Sequence, residues 1–355
     1  MTPTMFHPVY QQGDPGNGIG GYDLKSRVDR VFAFDYNHSG KLNYLALYRP
    51  GTGTFWILKN RDGVFSPVYQ QGAPGNGIGG YDLKSSADQA FAFDYDHSGR
   101  LDHLALYRPG TGTFWILKNR DGVFSPVYQQ GAPGNGIGGY DLKSSADQAF
   151  AFDYDHSGRL DHLALYRPGT GTFWILKNRD GVFSPVYQQG APGNGIGGYD
   201  LKSSTDQAFA FDYDHSGRLD HLALYRPGTG TFWILKNRDG VFSPVYQQGA
   251  PGNGIGGYDL KSGVDRVFAF DYTHSGKLDH LALYRPGTGT FWILQNRDGV
   301  FSPVYQQGAP GNGIGGYDLK SSADRAFAFD YGEGKLDYLT LYRPGTGTIW
   351  ILKRV

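Results

Sequence analysis

The 355-residue sequence has no cysteine, so a disulfide-stapled framework is excluded. It has no excess of charge either. Thirty-three Lys and Arg balance 33 Asp and Glu, and the basic surface that nucleic acid demands is missing. No apolar run approaches the length of a membrane-spanning helix. The first residues, Met1-Thr2-Pro3-Thr4-Met5-Phe6, show neither the basic nor the apolar region of a secretion signal. Synthesis in the cytoplasm is therefore expected, with extracellular action left open. What the chain does have is 55 Gly and 19 Pro beside 26 Tyr, 23 Phe and 6 Trp. The turn-formers approach low complexity, but such an aromatic content is too rich for a disordered tail. Many short strands are the expected outcome.

A repeat dominates the chain. Phe6-His7-Pro8-Val9-Tyr10-Gln11-Gln12-Gly13 returns as Phe65-Ser66-Pro67-Val68-Tyr69-Gln70-Gln71-Gly72, an interval of 59 residues, and again from Phe124, Phe183, Phe242 and Phe301. The units span 6–64, 65–123, 124–182, 183–241, 242–300 and 301–355, and a single domain over 1–355 is expected. Units two and three are identical, and unit four departs from them only at Thr205. Such near-identity fits recent duplication or deliberate engineering equally well.

Each unit carries four strand signals. In unit two, Ala90–Phe93 alternates small and large, and Leu104–Arg108 follows a polar loop. Thr113–Leu117 is apolar on both faces, and Val123–Tyr128 follows an Asp121-Gly122 turn. Pro126 cannot donate to a ladder, which predicts an edge strand. Four antiparallel strands with two apolar faces make a propeller blade, which cannot bury both faces alone. The fold predicted is all-β: a six-bladed β-propeller of four-stranded antiparallel blades. The chain begins at an outer strand (Phe6) and ends after a third strand (Leu352). The N-terminal strand is thus expected to complete the last blade and close the ring. An open solenoid is the rival arrangement.

The loop Asp94-Tyr95-Asp96-His97-Ser98-Gly99-Arg100-Leu101-Asp102 places oxygen side chains at positions 1, 3, 5 and 9, with Gly at 6. That spacing suits a hard cation. It also suits an Asx-type turn in which Asp94 and Ser98 satisfy backbone donors without metal. With the following Leu104-Ala105-Leu106-Tyr107-Arg108, the segment resembles the FG-GAP/VCBS repeat, the unit of integrin α-subunit propellers and of fungal PVL-type lectins. The resemblance covers about half of each unit. The whole unit is also similar to repeats appended to toxins and secreted hydrolases. The resemblance implies structural Ca2+ at Asp94, Asp96, Ser98 and Asp102, at Asp153, Asp155, Ser157 and Asp161, and at Asp212, Asp214, Ser216 and Asp220. The sequence departs from the family pattern. Ser replaces a carboxylate at position 5 in five units, Thr273 stands at position 3 of unit five, and unit six is one residue shorter. Unit one keeps a single carboxylate, Asp35. The three fully acidic loops are expected to bind before those at Asp35 and Asp330.

No catalytic constellation emerges. The repeating His97 and His103 lack Cys or helical partners and read as packing or surface residues. Near-identical units offer the same residues six times, whereas an enzyme needs different roles around one substrate. No enzyme is expected. The loop from Gly131 to about Asp147 is longer than a connection requires, and loops of that length are often functional. In a propeller it emerges on the same face as the Arg108-Pro109-Gly110-Thr111 turn. This groups Asn76, Tyr81, Asp82 and Arg108 as a candidate ligand set. Its copies are Tyr22 and Arg49; Tyr140, Asp141 and Arg167; Tyr199, Asp200 and Arg226; Tyr258, Asp259 and Arg285; and Tyr317, Asp318 and Arg343. The expected roles are a ring to stack on a sugar and fixed groups to hydrogen-bond it. The alternative is that Asp82 and Arg108 only pair with each other and Tyr81 only fills a gap, with Trp115 in the core. Six like sites point to a multivalent lectin, monomeric and directed at glycans or glycosylated surfaces. The other class weighed is a protein-binding targeting or adhesion scaffold.

Overall fold

Small–large alternation makes Gln89–Phe93 a strand, and Gly99 (φ +82) turns the chain back into a second strand, His103–Arg108. The Pro109–Gly112 turn leads to Thr113–Arg120, and Asp121-Gly122 to Val123–Gln130. The four strands pair antiparallel in chain order. In the computed structural model, which describes residues 5–12, 17–71, 76–130, 135–189, 194–248, 253–307 and 312–355, this blade occurs six times. The Gly131–Gly134 stretch of the long loop lies outside the described residues. Third strands run three residues beyond the apolar pattern, through Lys118, Asn119 and Arg120. Val123–Gln130 is the outermost strand, as Pro126 requires. The ladder pairs Ile116 with Tyr128 and Leu117 with Pro126, leaving Val127 as a bulge. The carbonyl of Val127 accepts the Tyr95 hydroxyl at 3.2 Å.

Both blade faces are covered by neighbours. Phe34, Tyr48, Phe55 and Ile57 of blade one pack on Leu104, Leu106, Leu117 and Phe124 of blade two. The pattern continues to Phe329, Tyr342, Ile349 and Ile351 of blade six, which pack on Val31, Leu45, Leu47 and Leu58 of blade one. Blade six lacks an outer strand of its own. Phe6–Gln12 supplies it, pairing antiparallel with Thr348–Arg354 and repeating the bulge. The fold is the six-bladed propeller predicted, closed as predicted.

Polar contacts repeat across each junction. The Asp94 amide donates to the Leu160 carbonyl, and around the ring the Asp330 amide donates to Leu42, both at 3.4 Å. The buried Tyr107 hydroxyl accepts the Ala149 amide at 3.1 Å, and Tyr342 accepts that of Val31 at 3.3 Å. His97 clasps the next blade, with Nδ1 2.7 Å from Asp161 Oδ2 and Nε2 3.0 Å from the Asn178 carbonyl. The recurring histidines at this position are thus ties between blades.

Phe6 is buried against Phe270, Tyr272 and Tyr305. Phe6→Ala should cost about 3–5 kcal/mol, the range for deleting a buried aromatic side chain. Chemical denaturation measures this. A loss no larger than that of an exposed substitution would contradict closure by the N-terminal strand.

Candidate binding site

Each interblade loop lands on a strained and tightly bonded corner. Gly77 (φ +59) has no room for a side chain, since a Cβ would lie 1.8 Å from the Tyr81 carbonyl oxygen. Ile78 and Tyr81 exchange two 2.9 Å backbone hydrogen bonds. Buried Leu83 is held at φ 54, a conformation bulky residues avoid, and its carbonyl accepts the amides of Gly51 and Gly53 in the preceding blade. This geometry drops Tyr81 between the blades, where it is 3% exposed.

Beneath it lies a fully buried carboxylate. Asp88 accepts the Tyr81 hydroxyl at 2.7 Å and the Ser85 amide at 2.9 Å. Arg108 forks onto the same group, Nε to Oδ1 at 2.7 Å and Nη2 to Oδ2 at 2.9 Å, and Nη2 also reaches Asp82 Oδ1 at 2.6 Å. The guanidinium lies over the Tyr81 ring, 5.6 Å from its centre. The hydrogen bonds that Arg108 donates to Asp88 raise its pKa against the effect of burial, with the bond to Asp82 adding to them. Burial, then the charge of Asp88, pushes the Tyr81 hydroxyl far up. Burial pushes Asp82 up, but Arg108 and the Lys84 amide outweigh it and hold the carboxyl below its ordinary range. The same knot is built in every blade, on Asp29, Asp147, Asp206, Asp265 and Asp324.

A cavity of about 340 Å³ opens over this knot, lined by Gly80, Tyr81, Asp82, Arg108, Thr113, Trp115 and Gln129. Its aromatic surface belongs chiefly to Trp115, which is half-buried, stands edge-on to Tyr81 at 5.6 Å and lies along Gly80. Asp82 Oδ2 and Arg108 Nη1 carry no partner among the described residues. The pocket thus offers a ring, an acceptor, a donor and the Gln129 amide. In blade six the corresponding cavity of about 500 Å³ includes Gln11 and Asn17, so the closing strand completes it. In blade one the cavity is about 160 Å³ and is lined by Tyr22, Asp23, Arg49 and Trp56.

Tyr81, Asp82 and Arg108 are brought together as expected, and Asp82 does pair with Arg108. Two expectations are corrected. Tyr81 and its copies at 22, 140, 199, 258 and 317 cannot offer a stacking face, because each ring is sandwiched between blades. Trp115 packs against the core with part of its ring and lines the cavity with the rest. Asn76 does not join the Arg108 pocket. The Gly77 amide donates to Gly53 of blade one, and the equivalent Asn17 lines the blade-six pocket with Arg343. By the repeat, Asn76 belongs with Arg49, and Asn135 with Arg108. Asp88, Thr113 and Gln129 were not anticipated. A carboxylate preceding every inner strand, opposite an arginine ending every second strand, was the available signal for Asp88.

The polar loops lie at the opposite end of the blades. Asp94 turns both oxygens inward, onto the amides of Ser98 at 2.9 Å and Gly99 at 2.8 Å. Asp96 accepts Lys118 Nζ at 2.8 Å. Asp102 meets His38 at 2.8 Å and His103 at 2.7 Å. The acidic groups that do converge are Asp96 and Asp102 with His103, a set repeated at Asp155, Asp161 and His162 and at Asp214, Asp220 and His221. A lysine ammonium and two imidazoles face these carboxylates, while Asp102 Oδ1 and both His103 ring nitrogens are buried without a hydrogen bond among the described residues. Asp94 makes the backbone bonds of the Asx-type turn, and the acidic cluster beside it is a separate set of groups.

No family model and no curated protein matches the sequence. Solved structures do resemble the fold. An Agrocybe aegerita lectin, described as recognising non-reducing terminal N-acetylglucosamine, is 18% identical with a TM-score of 0.58, covering 99% of this chain and 90% of its own. A β-propeller domain from Myceliophteria thermophila is 12% identical, covering 98% and 99%, with a TM-score of 0.47. A Pseudomonas aeruginosa periplasmic gluconolactonase is 10% identical, covering 78% and 69%, with a TM-score of 0.38. The Agrocybe aegerita likeness agrees with the propeller fold, and the FG-GAP/VCBS likeness stays a resemblance.

Two outcomes follow from these geometries. Asp88→Ala leaves Arg108 and Tyr81 without their shared acceptor and should cost roughly 3 kcal/mol. A double-mutant cycle with Arg108→Ala should be strongly non-additive, and additive losses would dissolve the knot. At the other face, the Asp96 pKa lies at about 2 instead of 3.8, because Lys118 and Ser98 outweigh burial. A depressed carboxylate stabilises the fold above its unfolded value and loses that contribution as pH falls through the folded one. Asp96→Asn should therefore lower stability by about 0.5 kcal/mol at neutral pH. The difference from wild type should shrink between pH 3.8 and about 2. A difference independent of pH would remove the ion pair from the account.

Proposed function

We propose that this propeller is a multivalent carbohydrate-binding protein that uses one Trp-floored pocket per blade. The observation that carries the reading is the pairing of a half-buried Trp115 with two polar atoms that have no partner among the described residues, Asp82 Oδ2 and Arg108 Nη1, on a knot that bonds both residues. Sugars present apolar CH faces and rows of hydroxyls, and this set answers both. Arg108 is shared by two carboxylates, Asp88 and Asp82, so no surplus positive charge draws an anion and the favoured ligand is a neutral saccharide. The larger cavities, about 340 and 500 Å³, lie in the size range of small-molecule sites, ~300–1,000 Å³. The pockets are open and shallowly furnished, which suits weak individual sites joined by avidity. The Agrocybe aegerita lectin supports the fold, and its described ligand makes N-acetylglucosamine the first probe. Pockets that repeat one residue set, without division of roles, do not read as catalytic.

Asp82 is the residue to test, because its side chain is 47% exposed and Asp88 holds Arg108 without it. Asp82→Ala alone should barely change adhesion to a glycan-coated surface. The same change at Asp23, Asp82, Asp141, Asp200, Asp259 and Asp318 together should abolish adhesion while leaving the melting curve nearly intact. A folded six-site variant that adheres at full strength would place binding elsewhere.

A further inference from the structure

The inner strand of every blade begins beside the propeller axis, where inner strands of neighbouring blades meet. In blades two, three and four the first residue of that strand is Gln89, Gln148 and Gln207, and each amide turns back to the carbonyl two residues before it. In blades five, six and one the same position is Arg266, Arg325 and Arg30. Because the ring closes, these three blades are consecutive. Three guanidinium groups therefore share one arc of the axis.

Nothing among the described residues neutralises them. None of the three forms an ion pair or side-chain hydrogen bond among the described residues, and Arg30 Nε is buried without a partner. The carboxylates adjacent in sequence, Asp29, Asp265 and Asp324, are committed to Arg49, Arg285 and Arg343. The hydroxyls of Tyr225, Tyr284 and Tyr342 each accept a backbone amide and have no acceptor for their own proton among the described residues. Burial, and then, against the pull of Tyr342, the charges of Arg266 and Arg30, holds the Arg325 guanidinium below its ordinary value. Like charges gathered beside the axis without counter-charge among the described residues leave a site of positive potential. Guanidinium forks match the oxygens of tetrahedral anions.

We propose that Arg30, Arg266 and Arg325 form an axial site for a tetrahedral oxyanion, a phosphate or sulfate group. It is one site per chain and is separate from the six Trp-floored pockets.

The test exploits the repeat. The triple variant Arg30→Gln, Arg266→Gln, Arg325→Gln installs the residue that blades two to four already carry, so it preserves the fold. Thermal melting at constant ionic strength, with inorganic phosphate, sulfate or chloride, gives the readout. Wild-type protein should show a saturable rise in melting temperature with phosphate but not with chloride, and the triple variant should lose at least about tenfold in apparent affinity. An equal response to sulfate identifies a general tetrahedral-dianion site, and a response to phosphate alone narrows the ligand. Without added anion the triple variant should melt at the same temperature or higher, since repulsion is relieved. The six-site Asp82 variant should keep the wild-type response. Equal responses in wild type and triple variant, no response in either, or a destabilised triple variant without anion would overturn the proposal.

Discussion

A sheet with apolar side chains on both faces has no stable solvated state of its own, and that constraint shapes the whole molecule. Each blade hides one face against the blade before it and the other against the blade after it. Two end blades would remain half-bare in any open stack. Closing the stack removes both bare faces, and the Phe6–Gln12 strand seals the last blade by pairing with Thr348–Arg354. The hydrophobic term is roughly proportional to the area removed from water, so six near-copies of one interface contribute alike. The inter-blade histidine ties and the ring of backbone bonds then fix the register of faces that apolar contact alone would leave free to slide.

The same constraint builds the candidate binding face. A loop that crosses from an outer strand to the next inner strand must pass over the seam between two blades. Its tyrosine is drawn into that seam, and the tyrosine hydroxyl needs a buried partner. Asp88 supplies one, and its charge in turn requires Arg108. Satisfying a buried polar group thereby fixes an arginine, an aspartate and a tryptophan at the rim of every seam. The candidate ligand groups are consequences of packing, which is why they repeat as faithfully as the core does.

Much of this was legible in the sequence. Period-2 alternation, Pro126 and the phase of the two termini were enough for blade, edge and closure, because each is a local rule about backbone donors and side-chain faces. Strand ends were less legible: Lys118–Arg120 extends a ladder after the apolar pattern stops. The pairing of Asp82 with Arg108 and the filling of a gap by Tyr81 were both open alternatives, but Trp115, expected in the core, keeps part of its ring on the cavity. Both rings belong to the same seam, and which one is buried depends on Asp88, seven residues beyond Tyr81. Asn76 was assigned to the wrong pocket for a related reason. A loop's sequence does not say at which residue it leaves one blade for the next, and here the Gly77 amide is still bound to blade one. The axial arginines stood in plain view as departures from the repeat, but their adjacency exists only once the ring is closed.

The central claim is that equivalent saccharide pockets surround a closed ring, so the number of ligands per chain tests it most directly. Native mass spectrometry or calorimetry with a monovalent sugar, beginning with N-acetylglucosamine, counts them. The account predicts a series of weak, near-identical binding steps that fills progressively toward one ligand per blade. A single binding step at one ligand per chain would contradict it, since only a site on the axis or at the closing seam occurs once.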